Sequence, residues 1–354
     1  MSKVVIITNI IIIGNYDKAE KLYSKLLKRL RKKLGDTHPT TLGTMNNLAN
    51  TYDNQGKYMD AEVLYKQCLA MTKEALGESD PSTFSMMNNL ANIYKNQGKY
   101  RDAEELHKQC LDKRTEVLGE NHPDTLATMH NLAGTYGSQG KYSDAEVLFK
   151  QCLDMTKEAL GESDPSTLSM MNNLAVTYNR QGKYRDAEVL LKQCLDKSKV
   201  VLGENHPDTF NSMNNLAESY GDQGKYRDAE ILFKQCLDKR KVVLGENHPD
   251  TLSTMRNLAN TYNRQGKFRD AEVLYKQCLD KEKVVLGESH PHTLRTIYSL
   301  AVVYNNQDKY REAEVLFKQC LDKQMVVLGE SHPDTLATMN NLAKITSKVT
   351  TSEL

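Results

Sequence analysis

Paired side-chain amides are the groups in this chain whose type and spacing could do chemistry. Asn46-Asn47 stands ahead of Leu48-Ala49, and Leu-Ala returns at 90, 132, 174, 216, 258, 300 and 342, always 42 residues on. An amide both donates and accepts hydrogen bonds, so a column of amides could hold an extended peptide backbone without reading its sequence. The first asparagine varies between copies, as Asn46, Asn88, His130, Asn172, Asn214, Arg256, Tyr298 and Asn340. The second recurs at 47, 89, 131, 173, 215, 257 and 341, with Ser299 as the exception. A polar residue that constant beside core positions is expected to bond a neighbouring helix or loop, since burying an unpaired amide is costly.

The other reactive side chains point away from catalysis. All seven cysteines follow the same period, at 68, 110, 152, 194, 236, 278 and 320, on an apolar stripe where free cysteine acts as a small hydrophobe. Copies on successive units are too far apart for a disulfide, and no C-x-x-C or Cys/His metal spacing occurs. Reduced thiols agree with a reducing, cytoplasmic compartment. Six of the nine histidines precede proline, and Asp80 and Asp164 replace two of them, a swap expected of helix caps and not of metal ligands. No nucleophile elbow, P-loop or Gly-x-Gly-x-x-Gly stretch is present, so no catalytic residue, metal or cofactor is assigned. With 47 basic and 46 acidic residues interspersed, no nucleic-acid face is expected.

Two helices per repeat must position these groups. Leu42, Met45, Leu48, Ala49 and Tyr52 form one stripe at helical spacing, broken at Gln55-Gly56-Lys57. Ala61, Leu64, Tyr65, Cys68, Leu69 and Leu76 form a second, longer amphipathic helix that stops at Gly77, and all eight prolines fall in the links between units. Neither stripe can be buried alone, so the units must stack. The expected fold is all-α, a right-handed superhelical solenoid of stacked antiparallel helix pairs forming one domain. Residues 1–40 read as a degenerate half-repeat, 41–334 as seven full repeats, 335–348 as a capping helix and 349–354 as a tail. The β-branched run in residues 1–13 is too short to span a bilayer as a helix, which needs about 20 residues, and is expected to form a degenerate capping helix; a signal segment or a misassigned start are its alternatives.

The order Leu48-Ala49, Tyr52, Gly56, Ala61, Tyr65 and small Cys68 resembles the tetratricopeptide repeat. The 42-residue unit, with "NNLA", "GKYRDAE" and "LGENHPDT", resembles the kinesin light chain and nephrocystin-like type. That resemblance implies that first-helix positions line a concave groove, and that the first asparagine contacts a bound peptide backbone. The groove candidates are Asn46, Asn50, Asn88, Asn92, Asn172, Asn214, Arg256, Asn260, Arg264, Arg295, Tyr298 and Asn340. Basic groove residues gather late, at Arg180, Arg256, Arg264, Arg295 and Lys344, whereas Asp53, Glu218 and Asp222 leave the early and middle groove neutral to mildly acidic. The expectation is therefore a non-catalytic, cargo-adaptor-like scaffold that binds an extended acidic peptide across residues 256–298, with neither nucleic acid nor membrane as partner. The alternatives are a sensing or oligomerising arm of an NTPase-linked signalling protein, and a mere spacer. The heptads by which a kinesin light chain joins its motor are not seen here.

Overall fold

Proline begins each first helix, with a polar side chain just ahead of it to cap the free amides. His38 Nδ1 accepts the Thr40 amide at 3.1 Å and Asp80 Oδ1 accepts the Ser82 amide at 2.8 Å. The same bond forms at His122, Asp164, His206, His248, His290 and His332, so the His/Asp alternation is a capping alternation. Capping draws the helix start to proline, two residues ahead of the threonine that the periodicity suggested.

The computed structural model describes residues 15–352, and sixteen helices and no strand occur among them. Tyr16–Leu34 precedes the full pairs and packs on the helix that follows it. The first full pair is helix A, Pro39–Asn54, and helix B, Tyr58–Leu76. Six more pairs follow, ending with Pro291–Asn306 and Tyr310–Val327. A last A helix, Pro333–Ser352, runs past the expected residue 348. The expectation for residues 1–13 lies outside the described residues. The helices gather into two compact units, one ending at Glu204 and the other starting at Asn205. Inside each unit, helix A packs on its own helix B, and helix B on the next helix A.

Each turn between A and B needs one left-handed residue. Gly56 supplies it at φ 69°, and the Lys57 amide closes onto the Tyr52 carbonyl at 2.8 Å. Asp308, at φ 58°, is the non-glycine residue doing the same job. After helix B, the fully buried Thr83 hydroxyl donates to the Gly77 carbonyl at 2.8 Å, and Thr41, Thr167, Thr251 and Thr293 repeat that bond. A hydroxyl in the core is thereby satisfied while it fixes the angle of the link.

Small residues set the closeness of the helices. Ala49, Ala61 and Cys68, with their counterparts in the seven full pairs, are fully buried between larger side chains such as Leu48 and Tyr65. Every thiol is buried, and each donates to a carbonyl of its own helix A: Cys68 to Leu42 at 3.5 Å, Cys110 to Phe84 at 3.2 Å, Cys152 to Leu126 at 3.3 Å. Burial pushes the Cys68 and Cys152 thiols up to about 11. Packing is therefore their role.

The recurrent "QGKY…AE" stretch is a clamp between repeats. Glu104 receives Lys108 at 2.6 Å from its own helix, and Lys141 at 2.9 Å and Gln139 at 2.8 Å from the next turn. Lys108 and Lys141 hold its carboxyl down to about 2. Both ammonium groups also lie over the Tyr136 ring, 5.7 and 5.5 Å from its centroid. Glu62, Glu146, Glu230 and Glu272 repeat the arrangement.

Candidate functional site

The two asparagines of each repeat work together. In the first unit, Asn89 Nδ2 donates to Asn46 Oδ1 at 3.0 Å, Asn131 to Asn88 at 3.0 Å, and Asn173 meets His130 Nε2 at 2.8 Å. In the second unit, Asn257 donates to Asn214 at 3.3 Å and Asn341 to the Tyr298 hydroxyl at 2.5 Å. The second asparagine thus bonds a neighbouring helix, as its constancy suggests, and its acceptor is the first asparagine of the previous repeat. The first asparagine is half-committed: the carbonyls of Asn46 and Asn88 are spent on the ladder.

The remaining candidates divide by burial. Asn50 accepts the Tyr65 hydroxyl, and the Asn92 carbonyl oxygen is buried without a partner among the described residues. Asn172 donates to the Leu168 carbonyl at 3.2 Å, and Asn214 to Glu218 at 3.0 Å. Asn260, Arg264, Arg295 and Asn340 are exposed. Tyr298 leans its ring edge-on against Phe317, 5.5 Å between centroids. A cavity of about 290 Å³ brings Arg256, Asn260, Arg295 and Tyr298 together beside Tyr275 and Ser299.

Arg256, expected on the groove surface, turns inward instead. Its Nη1 bonds Glu282 Oε1 at 3.0 Å, with side-chain exposures of 9% and 1%, and its Nη2 reaches Ser253 at 3.2 Å. Burial pushes the Glu282 carboxyl up, and the guanidinium pulls against that shift. The reason is the register. Glu282 occupies the late helix-B position of Thr72, Thr156 and Ser198, a buried column in which a carboxylate demands a counter-ion. Arg114 and Arg240 stand in the same column and bond Thr128 and Thr254, each at 2.7 Å. Arg264 is likewise engaged, with the Gly221 carbonyl at 3.2 Å and Asp222 at 3.1 Å.

The first unit holds a different arrangement. Its helix A at Pro123–Ser138 carries Gly134, where the other copies have larger residues, and Gly137, whose column holds one further glycine at Gly221; an added Cβ at Gly134 or Gly137 meets nothing within 4 Å. A glycine inside a helix costs about 0.5–1 kcal/mol relative to alanine, and packing does not require it here. Above the two glycines opens a cavity of about 450 Å³, lined by Lys95, His130, Phe149, Asn173, Val176 and Arg180 among others. Lys95 stands in the column of Asp53 and was missed by the reading that held this region neutral to mildly acidic. Burial lowers the Lys95 pKa, while the charge of Asp53 opposes that shift. Asp53 itself accepts Asn96 at 2.9 Å. His130 sits edge-on to Phe149, 5.3 Å between ring centroids. Burial first and Lys95 second push its pKa down to about 4, so it is neutral near pH 7. The sequence signal was a helix-breaking residue type placed twice in one helix that needs neither.

No group of three His, Cys, Asp or Glu side chains that could hold a metal occurs among the described residues, and no described helix is long and apolar enough to cross a membrane. No curated protein matches the chain significantly. Of solved structures, nearly identical TPR-like repeats of a kinesin light chain type from Podosopora anserina are 28% identical over 58% of this chain and 96% of theirs, with a TM-score of 0.49. BtubC (BKLC) from P. vanneervenii is 22% identical over 65% of this chain and 92% of its own, with a TM-score of 0.52. A Rap protein solved with competence and sporulation factor is 15% identical over 98% of each chain, with a TM-score of 0.53. Tetratricopeptide-repeat family models match residues 10–74, 82–158, 166–241 and 292–348, and a second such model matches 251–292. With its helix pairs, left-handed turns and small-residue contacts all in the register of that repeat, the chain belongs to the tetratricopeptide repeat family.

Proposed function

We propose that the chain is a non-catalytic interaction scaffold, cargo-adaptor-like, whose A helices hold an extended acidic segment of another protein. One observation carries this reading. The buried columns of Ala49, Ala61, Cys68 and Thr41 stay nearly constant between repeats, while the open face of the A helices carries a varied polar set anchored by the asparagine ladder. Constancy inside and polar variety on one face describe a fold that carries a recognition surface. The ladder holds the Asn46 and Asn88 amides by their oxygens and leaves their N–H groups to meet backbone carbonyls of a ligand. The Rap protein of the same fold was solved with competence and sporulation factor, which fits capture of a partner by stacked helix pairs. Seven buried free thiols suit a reducing compartment such as the cytoplasm.

A displayed random-peptide library tests the reading. The parent chain should retain peptides rich in aspartate and glutamate, and Asn46→Ala with Asn88→Ala should weaken capture while leaving far-UV helicity unchanged. Retention of no peptide by the parent, or equal capture by the double variant, overturns it.

A further inference from the structure

The first unit holds a cavity over Gly134 and Gly137. We infer that it is an anchor pocket for a carboxylate side chain of the bound segment, held by Lys95 within the cavity and Arg180 at its rim. The inference rests on the scaffold reading above and adds to it the location and chemistry of the anchor.

Four observations on one site support it. The space exists because two glycines keep it open, and neither has a neighbour that excludes a side chain. Its size, about 450 Å³, falls within the roughly 300–1,000 Å³ typical of ligand sites. No acidic residue lines it, while Lys95 and Arg180 do. Lys95 lacks an ion-pair partner among the described residues: its nearest influence, Asp53, is occupied by Asn96.

The second unit provides the control. Arg264 follows Gly221 by 43 residues as Arg180 follows Gly137, but Arg264 Nη1 comes within 3.9 Å of a Cβ built on Gly221 and bonds Asp222 at 3.1 Å, whereas nothing lies within 4 Å of one built on Gly137. The residue equivalent to Asp222 beside Gly137 is Ser138, so Arg180 has no such carboxylate. A carboxylate brought by a ligand would take the place of the missing aspartate, bonding the guanidinium fork and the desolvated ammonium together. Phe149 and Val176 would cover the aliphatic stem, and neutral His130 adds no competing charge.

The same displayed library tests this, with Gly134→Leu plus Gly137→Leu as a cavity-filling variant and Lys95→Met as a second. The filled variant should melt higher than the parent, because leucine replaces glycine in a helix, yet lose capture of the acidic peptides by roughly tenfold or more, the loss implied by one charge-assisted hydrogen bond. Lys95→Met should lose capture to the same extent, and Glu→Gln versions of the retained peptides should bind the parent no better than they bind Lys95→Met. If the peptides held by the parent bind both variants equally well, the pocket inference is overturned while the scaffold reading stands. If the parent holds none, both fall.

Discussion

Two stretches of the A-helix face, one in each unit, carry cations and treat them differently, with Arg180 and Arg264 at corresponding positions. Around Arg256 two guanidinium groups are spent internally, Arg256 on Glu282 and Arg264 on Asp222 and the Gly221 carbonyl, while Arg295 stands exposed at the same cavity. Around Gly134 the cations face an open cavity with no carboxylate lining it. A count of basic residues along the sequence ranks the second stretch as the better acceptor for an acidic ligand, whereas the pocket inferred above lies in the first. Charge that is already paired adds little to recognition, because a ligand must first displace the partner.

The largest effect that could break this comparison is at the buried pair. Glu282→Ala leaves Arg256 buried without a counter-ion and should lower stability by about 3–5 kcal/mol in urea unfolding, whereas Arg256→Leu with Glu282→Leu should be close to neutral. Equal, small losses in both variants would show that Arg256 faces solvent, restoring it as a ligand contact.

A smaller effect tests whether the units differ only on the A-helix face. The edge clamps are alike in both: Glu104 is held near 2 by Lys108 and Lys141, and Glu230 is drawn to about 2 by Lys234 and Lys267 against the opposing push of burial. A carboxyl whose folded pKa is depressed contributes stability above its ordinary value near 4.5, and that contribution is lost as pH falls toward about 2. Glu104→Gln and Glu230→Gln should each cost about 1 kcal/mol at pH 7 and flatten acid unfolding between about pH 4.5 and 2 to the same degree. Unequal effects would place the contrast in the clamps and not in the groove.

The smallest effect sharpens the contrast most. Ser138→Asp installs the carboxylate that Arg264 has and Arg180 lacks. It should raise stability by only a few tenths of a kcal/mol, as exposed ion pairs do, yet reduce capture of acidic library peptides. Unchanged capture would mean that Arg180 does not meet the ligand.

Much of this molecule is determined by local chemistry, and so could be read from the chain alone. The helix pair follows from apolar spacing, the turn from Gly56, the start of each A helix from proline behind a His or Asp cap, and the core from columns of alanine and cysteine that recur unchanged. Each depends on residues within a turn or two of one another, where backbone geometry leaves few choices. The pairing of polar side chains was decided only by stacking. Asn89 finds Asn46 at a separation of 43 residues, set by how one helix pair lies on the next, and Arg256 finds Glu282 at 26, across the contact between the A and B helices of one pair. Whether Arg180 meets a carboxylate or a cavity depends on Ser138 and two glycines in the preceding repeat. Electrostatic partners are chosen across the stack, and the one-dimensional pattern records the columns without recording which members of adjacent columns touch.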